Sequence, residues 1–135
     1  MRRVARYADG WQTDATPVET FRQRFQIIKE YAYQGGRDPS TFDSCLHLMV
    51  NINNDRDKAY KEAEVFLTSY YGAGAISRER AEMWLAYGPP EAVIEKIKAY
   101  IDAGCTTPVL RFVSPDLSGQ LQRCIEEVLP AFRIK

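Results

Sequence analysis

One histidine and three cysteines without C-x-x-C spacing, in a chain of 135 residues, give no ligand pattern for a structural zinc or a redox dithiol. Cys45, Cys105 and Cys124 read instead as reduced, small hydrophobic residues of a cytoplasmic protein. Net charge is also missing. Eighteen Lys plus Arg balance eighteen Asp plus Glu, so no long-range field attracts nucleic acid or an anionic membrane. No apolar run approaches the roughly 18 residues of a membrane span. Met1-Arg2-Arg3 leads into Val-Ala-Arg-Tyr-Ala-Asp, not into an apolar signal core, and a soluble protein is expected. G-x-S-x-G is absent, and the sole imidazole has no identified nucleophile, so no hydrolytic triad can be drawn. Gly72-Ala73-Gly74-Ala75 lacks G-K-[ST] and does not complete G-x-G-x-x-G, which makes it a flexible connection and not a nucleotide loop. Neither internal repeats nor low-complexity tracts divide the chain.

What is present is ordinary for a globular chain: 45% hydrophobic and 27% charged residues. At this length one domain, residues 1–135, buries about two-thirds of its unfolded surface. The first residues continue a helical pattern that Asp9-Gly10 breaks before Trp11. Thr16-Pro17-Val18-Glu19 predicts a helix start, with Thr16 as cap, Pro17 at the first helical position and Glu19 completing a capping box. Val18, Phe21, Phe25, Ile28 and Ala32 then recur at spacings of three and four until Gly35-Gly36.

From Ser44 to Asn53, Leu46, Leu48, Val50 and Ile52 alternate with Cys45, His47, Met49, Asn51 and Asn53, as expected of a strand with two unlike faces. Asn54 or Asp55 can cap the next helix, whose stripe is Ala59, Ala63, Phe66, Leu67 and Tyr70. A loop over Ala73–Ile76, a short helix opened by Ser77 and ended at Tyr87-Gly88-Pro89, and a further helix from Pro90 to Gly104 follow. Thr106–Val113 reads as a buried strand with Val109, Arg111 and Val113 on one face. The last helix places Leu117, Leu121, Cys124, Ile125, Val128 and Leu129 on its apolar side. The order β-α-β-α-α-α-β-α implies an α/β fold with a parallel sheet of about three strands and covering helices. Glu62 with Glu64, and Glu126 with Glu127, read as solvated helical charges.

Ala8-Asp9-Gly10-Trp11, Gly36-Arg37-Asp38-Pro39, Asn54-Asp55, Tyr87-Gly88-Pro89-Pro90-Glu91, Ala99–Gly104 and Val109-Leu110-Arg111-Phe112 fall in an order that resembles the C-terminal portion of a luciferase-like monooxygenase. The resemblance extends from Arg2 to Arg133 and implies part of a TIM barrel. It also implies redox chemistry on a small organic substrate with FMN or F420. A complete barrel needs roughly 250 residues, so the chain is expected to be a fragment or to assemble with another chain. The glycine-rich segment that commonly precedes Ala-Asp-Gly-Trp and helps hold the cofactor phosphate lies outside this sequence.

Within that resemblance, His47 faces the barrel interior, where it can bond a cofactor or act as an acid or base; alternatively, backbone or Asn51 satisfies it. Asn51 and Asn53 can donate to a cofactor carbonyl or simply terminate the strand. Arg111 needs an anion, either a phosphate or carboxylate ligand or a protein Asp or Glu. Trp11 either walls the flavin pocket or packs in the core. Sheet edges left open by a partial barrel favour a homodimer. The competing expectation is a non-enzymatic half-barrel paired with itself or another chain.

Overall fold

The computed structural model describes residues 1–74 and 77–132. Ala75 and Ile76, at the end of the expected loop, lie outside them, as do residues 133–135. Helix α1 (Arg2–Tyr7) leads into strand β1 (Gly10–Asp14), followed by α2 (Val18–Gln34) and β2 (Asp43–Ile52). Next come α3 (Arg56–Tyr71), α4 (Arg78–Trp84), a short β3 (Ala86–Gly88), α5 (Pro90–Asp102) and β4 (Thr107–Phe112). Helix α6 (Leu117–Arg123) continues as a π-turn over Cys124–Val128 and a 3-10 turn over Leu129–Phe132.

All strand pairings are parallel, and β2 is central. β4 lies along one side of it, from Cys45↔Thr107 to Val50↔Phe112. On the other side β1 pairs with the first half, Gly10↔Asp43 to Asp14↔His47, and β3 with the last residues, Val50↔Ala86 to Ile52↔Gly88. Only the outer strands therefore have free edges, and β3 adds a fourth strand where the sequence suggested the end of a helix. β1 approaches β2 closely: a Cβ on Gly10 would meet the Asp43 carbonyl oxygen at 2.8 Å, so this position has no room for a side chain.

The alternation in β2 sorts its residues as expected. Leu46, Leu48, Val50 and Ile52 are at most 1% exposed and pack under Phe21, Phe25 and Ile28 of α2 and Val93, Ile97 and Tyr100 of α5. Each large side chain buried there contributes about 1.5–3 kcal/mol. A second cluster lies on the opposite face, where Ala59, Tyr60, Ala63 and Leu67 of α3 join Trp84 and Tyr87 over Met49 and Val113. Helices thus cover the β2 side chains of one sheet face along their length, leaving Leu110 and Phe112 of β4 half-buried, but cover only the C-terminal half of the other face.

Several local expectations fail. Thr16 does not cap α2: Pro17 precedes the helix, and the Thr16 hydroxyl donates instead to the Asp14 carbonyl at 2.7 Å. Asp55 and Ser77 do cap α3 and α4. On α3, Tyr60 is buried while Tyr70 is 61% exposed. On the last helix Leu117, Leu121, Ile125 and Leu129 all face outward, and the buried row is Gln120, Cys124 and Val128. Cys105 and Cys124 are buried, whereas Cys45 is only half-buried. Glu62, too, is half-buried and not simply solvated.

Candidate functional site

Parallel pairing keeps residues in register on one face, so Gln12, Asp14, Cys45, His47, Thr107 and Val109 form a continuous strip. The strip faces solvent: His47 is exposed and Val109 is 38% exposed. His47 makes no side-chain hydrogen bond among the described residues. Its expected neighbour Asn51 is bonded elsewhere.

Farther along the same face α3 crosses the sheet. Asn51 is fully buried, and its Nδ2 donates to Glu62 Oε2 at 3.1 Å and to the Val113 carbonyl at 2.9 Å. Asn51 Oδ1 is buried without a donor among the described residues, so this polar network retains one unused acceptor. Asn53, by contrast, uses its Oδ1 to accept the Asp55 amide, which turns the chain into α3. Arg111 forms no ion pair with Asp or Glu among the described residues, contrary to the structural alternative read from sequence. Its guanidinium lies 5.4 Å from the Phe66 ring centroid and 4.7 Å from that of Tyr70. Aromatic faces supply the negative electrostatic surface that a carboxylate was expected to provide.

Trp11 is separated from these three residues by the sheet. It pairs with Ser44 in register, and its ring lies 5.0 Å from Phe21 and 6.3 Å from Phe25. His47, Asn51 and Arg111 therefore share one face, while Trp11 belongs to the helical core.

Two clefts open at the C-terminal ends of the strands. One, of about 410 Å³, is bordered by Asn53, Lys58, Glu62, Ser114 and Arg123. Gln120 seals its base: Oε1 accepts the Ile52 amide at 2.7 Å, and Nε2 donates to the Ile52 carbonyl at 2.9 Å. The other, of about 510 Å³, lies beyond β1 between α2 and α4, with Thr13, Asp14, Thr20, Arg24, Arg80 and Trp84 on its walls. Ala15, at the turn bordering this cleft, has φ +36°, a conformation that costs a non-glycine residue energy. Sequence reasoning missed Glu62, Gln120, Arg24 and Arg80. Each occupies an ordinary polar helical position, and nothing local distinguishes it.

Beside the second cleft, Glu82 accepts the Tyr87 hydroxyl at 2.7 Å and Arg78 Nε at 3.0 Å. These two bonds, led by that from Tyr87, hold its carboxyl below the usual range. The bond from Tyr87 ties α4 to β3, and the bond from Arg78 lies within α4.

A parallel α/β sheet with clefts outside the carboxyl ends of its strands has the architecture of a barrel or open-sheet ligand-binding protein. Here it corresponds to part of a barrel. The luciferase-like monooxygenase family model matches residues 1–107, and the chain belongs to that family. Its fold is shared with the coenzyme F420-dependent tetrahydromethanopterin reductase of Methanopyrus kandleri, at TM-score 0.74 and 20% identity. An F420-dependent secondary alcohol dehydrogenase solved with an F420–acetone adduct gives TM-score 0.84 and 19% identity. A long-chain alkane monooxygenase gives 0.66 and 22%. The matches cover 98%, 98% and 96% of this chain but only 48%, 46% and 37% of those proteins, so the chain spans less than half their length. Among curated proteins no sequence matches. No helix among the described residues is long and apolar enough to cross a membrane.

Proposed function

We propose that this chain is the C-terminal part of a flavin- or F420-dependent oxidoreductase acting on a small organic substrate. The observation that carries the reading is the solvent-facing strip around His47, on the sheet face that the helices leave the more exposed. Its residues suit one side of the ring system of FMN or F420: Gln12 and His47 offer hydrogen bonds, and Val109 offers apolar contact. No residue of the strip carries the permanent positive charge that a cofactor phosphate needs.

When bound, the cofactor supplies the redox chemistry, and the protein orients it and excludes water. His47 would hydrogen-bond the ring system and Val109 would pack against it, while further strands would complete the enclosure along the free edges of β1 and β4. A second copy is the simplest source of such strands.

A second reading, a non-enzymatic half-barrel pairing with itself or another chain, is favoured by a different observation. Leu117, Leu121, Ile125 and Leu129 are each 39–56% exposed in one row on the helix that follows β4. An exposed apolar row, together with the unpaired outer edge of β4, offers a surface on which chains associate.

One experiment separates the two. The mass of the purified chain is measured by light scattering with excess FMN and then F420, while cofactor absorbance and the His47 ring-proton resonances are followed. His47 is the only histidine, so its signal is unambiguous. The oxidoreductase reading expects cofactor absorbance to travel with the protein and the His47 resonances to shift. A folded species, monomer or dimer, that carries neither cofactor and leaves His47 unshifted overturns it and supports the half-barrel.

A further inference from the structure

We infer that the cleft at the end of β1 binds the oxyanion of a small organic molecule, a carboxylate, sulfonate or phosphate, through Arg24 and Arg80. Taking that molecule as substrate rests on the oxidoreductase reading above; the binding itself does not. Two guanidiniums from separate elements, Arg24 on α2 and Arg80 on α4, border the same cleft. Neither has a carboxylate within ion-pair distance among the described residues, whereas Arg22, Arg37, Arg78 and Arg123 are all paired.

Asp14 is the only acidic residue on the cleft walls, so two positive charges face one negative charge and the cleft carries a net single positive charge. Bringing two like charges to one cleft is unfavourable until an anion joins them, and a planar guanidinium matches an oxyanion with paired hydrogen bonds. Thr20 adds a hydroxyl on the α2 wall. Thr16 cannot, because its hydroxyl is engaged with Thr13 Oγ1 and the Asp14 carbonyl. Met83 and Trp84 form an apolar wall against which the organic part of the ligand packs. The cleft volume, about 510 Å³, is in the range of small-molecule sites. Its position beyond a strand's carboxyl end is where parallel α/β folds bind ligands.

The test uses the cofactor-free chain, with methanesulfonate as probe and dimethyl sulfone as its uncharged counterpart. Arginine Nε–H resonances are followed through the titration, and acetate and inorganic phosphate are then compared to rank the oxyanions. Saturable shifts at Arg24 and Arg80 with methanesulfonate, and none with dimethyl sulfone, are expected. Arg24→Gln and Arg80→Gln should each weaken binding about tenfold or more, the scale of a charge-assisted contact. Asp14→Asn should tighten it by removing the opposing charge, a gain that a purely structural role would not produce. Arg22→Gln, on the same helix but engaged with Glu19 and the Asp102 carbonyl, should leave it unchanged.

Equal binding by the Arg24 and Arg80 variants, an equal response to dimethyl sulfone, or no saturable shift with any of the three oxyanions overturns the inference. Both arginines are exposed, so the variants should retain the fold. Failure to retain FMN or F420 would leave oxyanion binding standing, and absence of oxyanion binding would leave the cofactor reading standing.

Discussion

Gln120→Met tests whether a single side chain completes the sheet where β4 leaves it. The last backbone rung between the strands is the Val113 amide donating to the Val50 carbonyl at 2.9 Å. At the next rung, Ile52, Gln120 substitutes for the departed strand and satisfies both backbone groups. Gln120 is only 6% exposed, so water does not readily replace it. Methionine keeps the length and apolar contacts but neither bond. The Ile52 carbonyl still accepts Arg123 Nη1 at 3.0 Å, whereas the amide loses its sole acceptor. An orphaned buried donor costs about 1–3 kcal/mol and the lost carbonyl bond about 0.5–1.5 kcal/mol, so a loss of about 1.5–4.5 kcal/mol is expected. At this chain length the melting temperature should fall by about 5–20 °C. The loss should appear in urea as a lower midpoint with unchanged slope, and the Ile52 amide should exchange its hydrogen faster. Gln122→Met, on the exposed side of the same helix, should change stability by less than about 0.5 kcal/mol. If Gln120→Met costs no more than Gln122→Met and leaves Ile52 exchange unaltered, the amide is not the missing rung.

Arg111→Gln should cost about 1 kcal/mol by removing the cation over Phe66 and Tyr70, and a double-mutant cycle with Phe66→Leu should reveal coupling. Additive urea midpoints would show that the two side chains do not interact. Burial raises the Tyr100 hydroxyl well above its ordinary value of 10.0, with a smaller contribution from Cys105, while the hydroxyl donates to the Thr16 carbonyl at 2.7 Å. The folded state therefore favours the neutral phenol. Its contribution is complete below the ordinary tyrosine value and declines as pH rises above it. Tyr100→Phe should flatten the alkaline limb of a stability-against-pH curve, and an unchanged limb would exclude Tyr100 as its source.

The faces of β2 and the buried stripe of α2 were legible because they are local periodicities. Leu46, Leu48, Val50 and Ile52 alternate with polar neighbours, and Phe21, Phe25, Ile28 and Ala32 recur every turn, so any helix-on-sheet packing would bury these rows. Family membership was legible for a different reason: short segments such as Ala8–Trp11 and Gly88–Glu91 keep their order. Of the four candidate site residues, the alternation placed His47 and Asn51 opposite the aliphatic face, whereas Arg111 could be assigned only to a face of its own strand until its register with Met49 was known. Trp11 could not be placed before its register with Ser44 was known.

What tertiary structure alone decided was the choice among chemically equivalent partners. Thr16 has the chemistry of a cap, but its hydroxyl bonds Asp14 and Thr13, and its carbonyl receives Tyr100 from a helix far along the chain. On the last helix, the row Leu117, Leu121, Ile125 is the more apolar, yet Gln120, Cys124 and Val128 face inward because Ile52 needs the Gln120 amide. Arg111 required a negative partner, and the crossing of α3 supplied aromatic faces. The sequence by itself determined which surfaces were apolar and which groups needed partners. Only the three-dimensional arrangement decided which partner came within reach, because hydrogen bonds and charge contacts depend on distances between segments that local sequence does not encode.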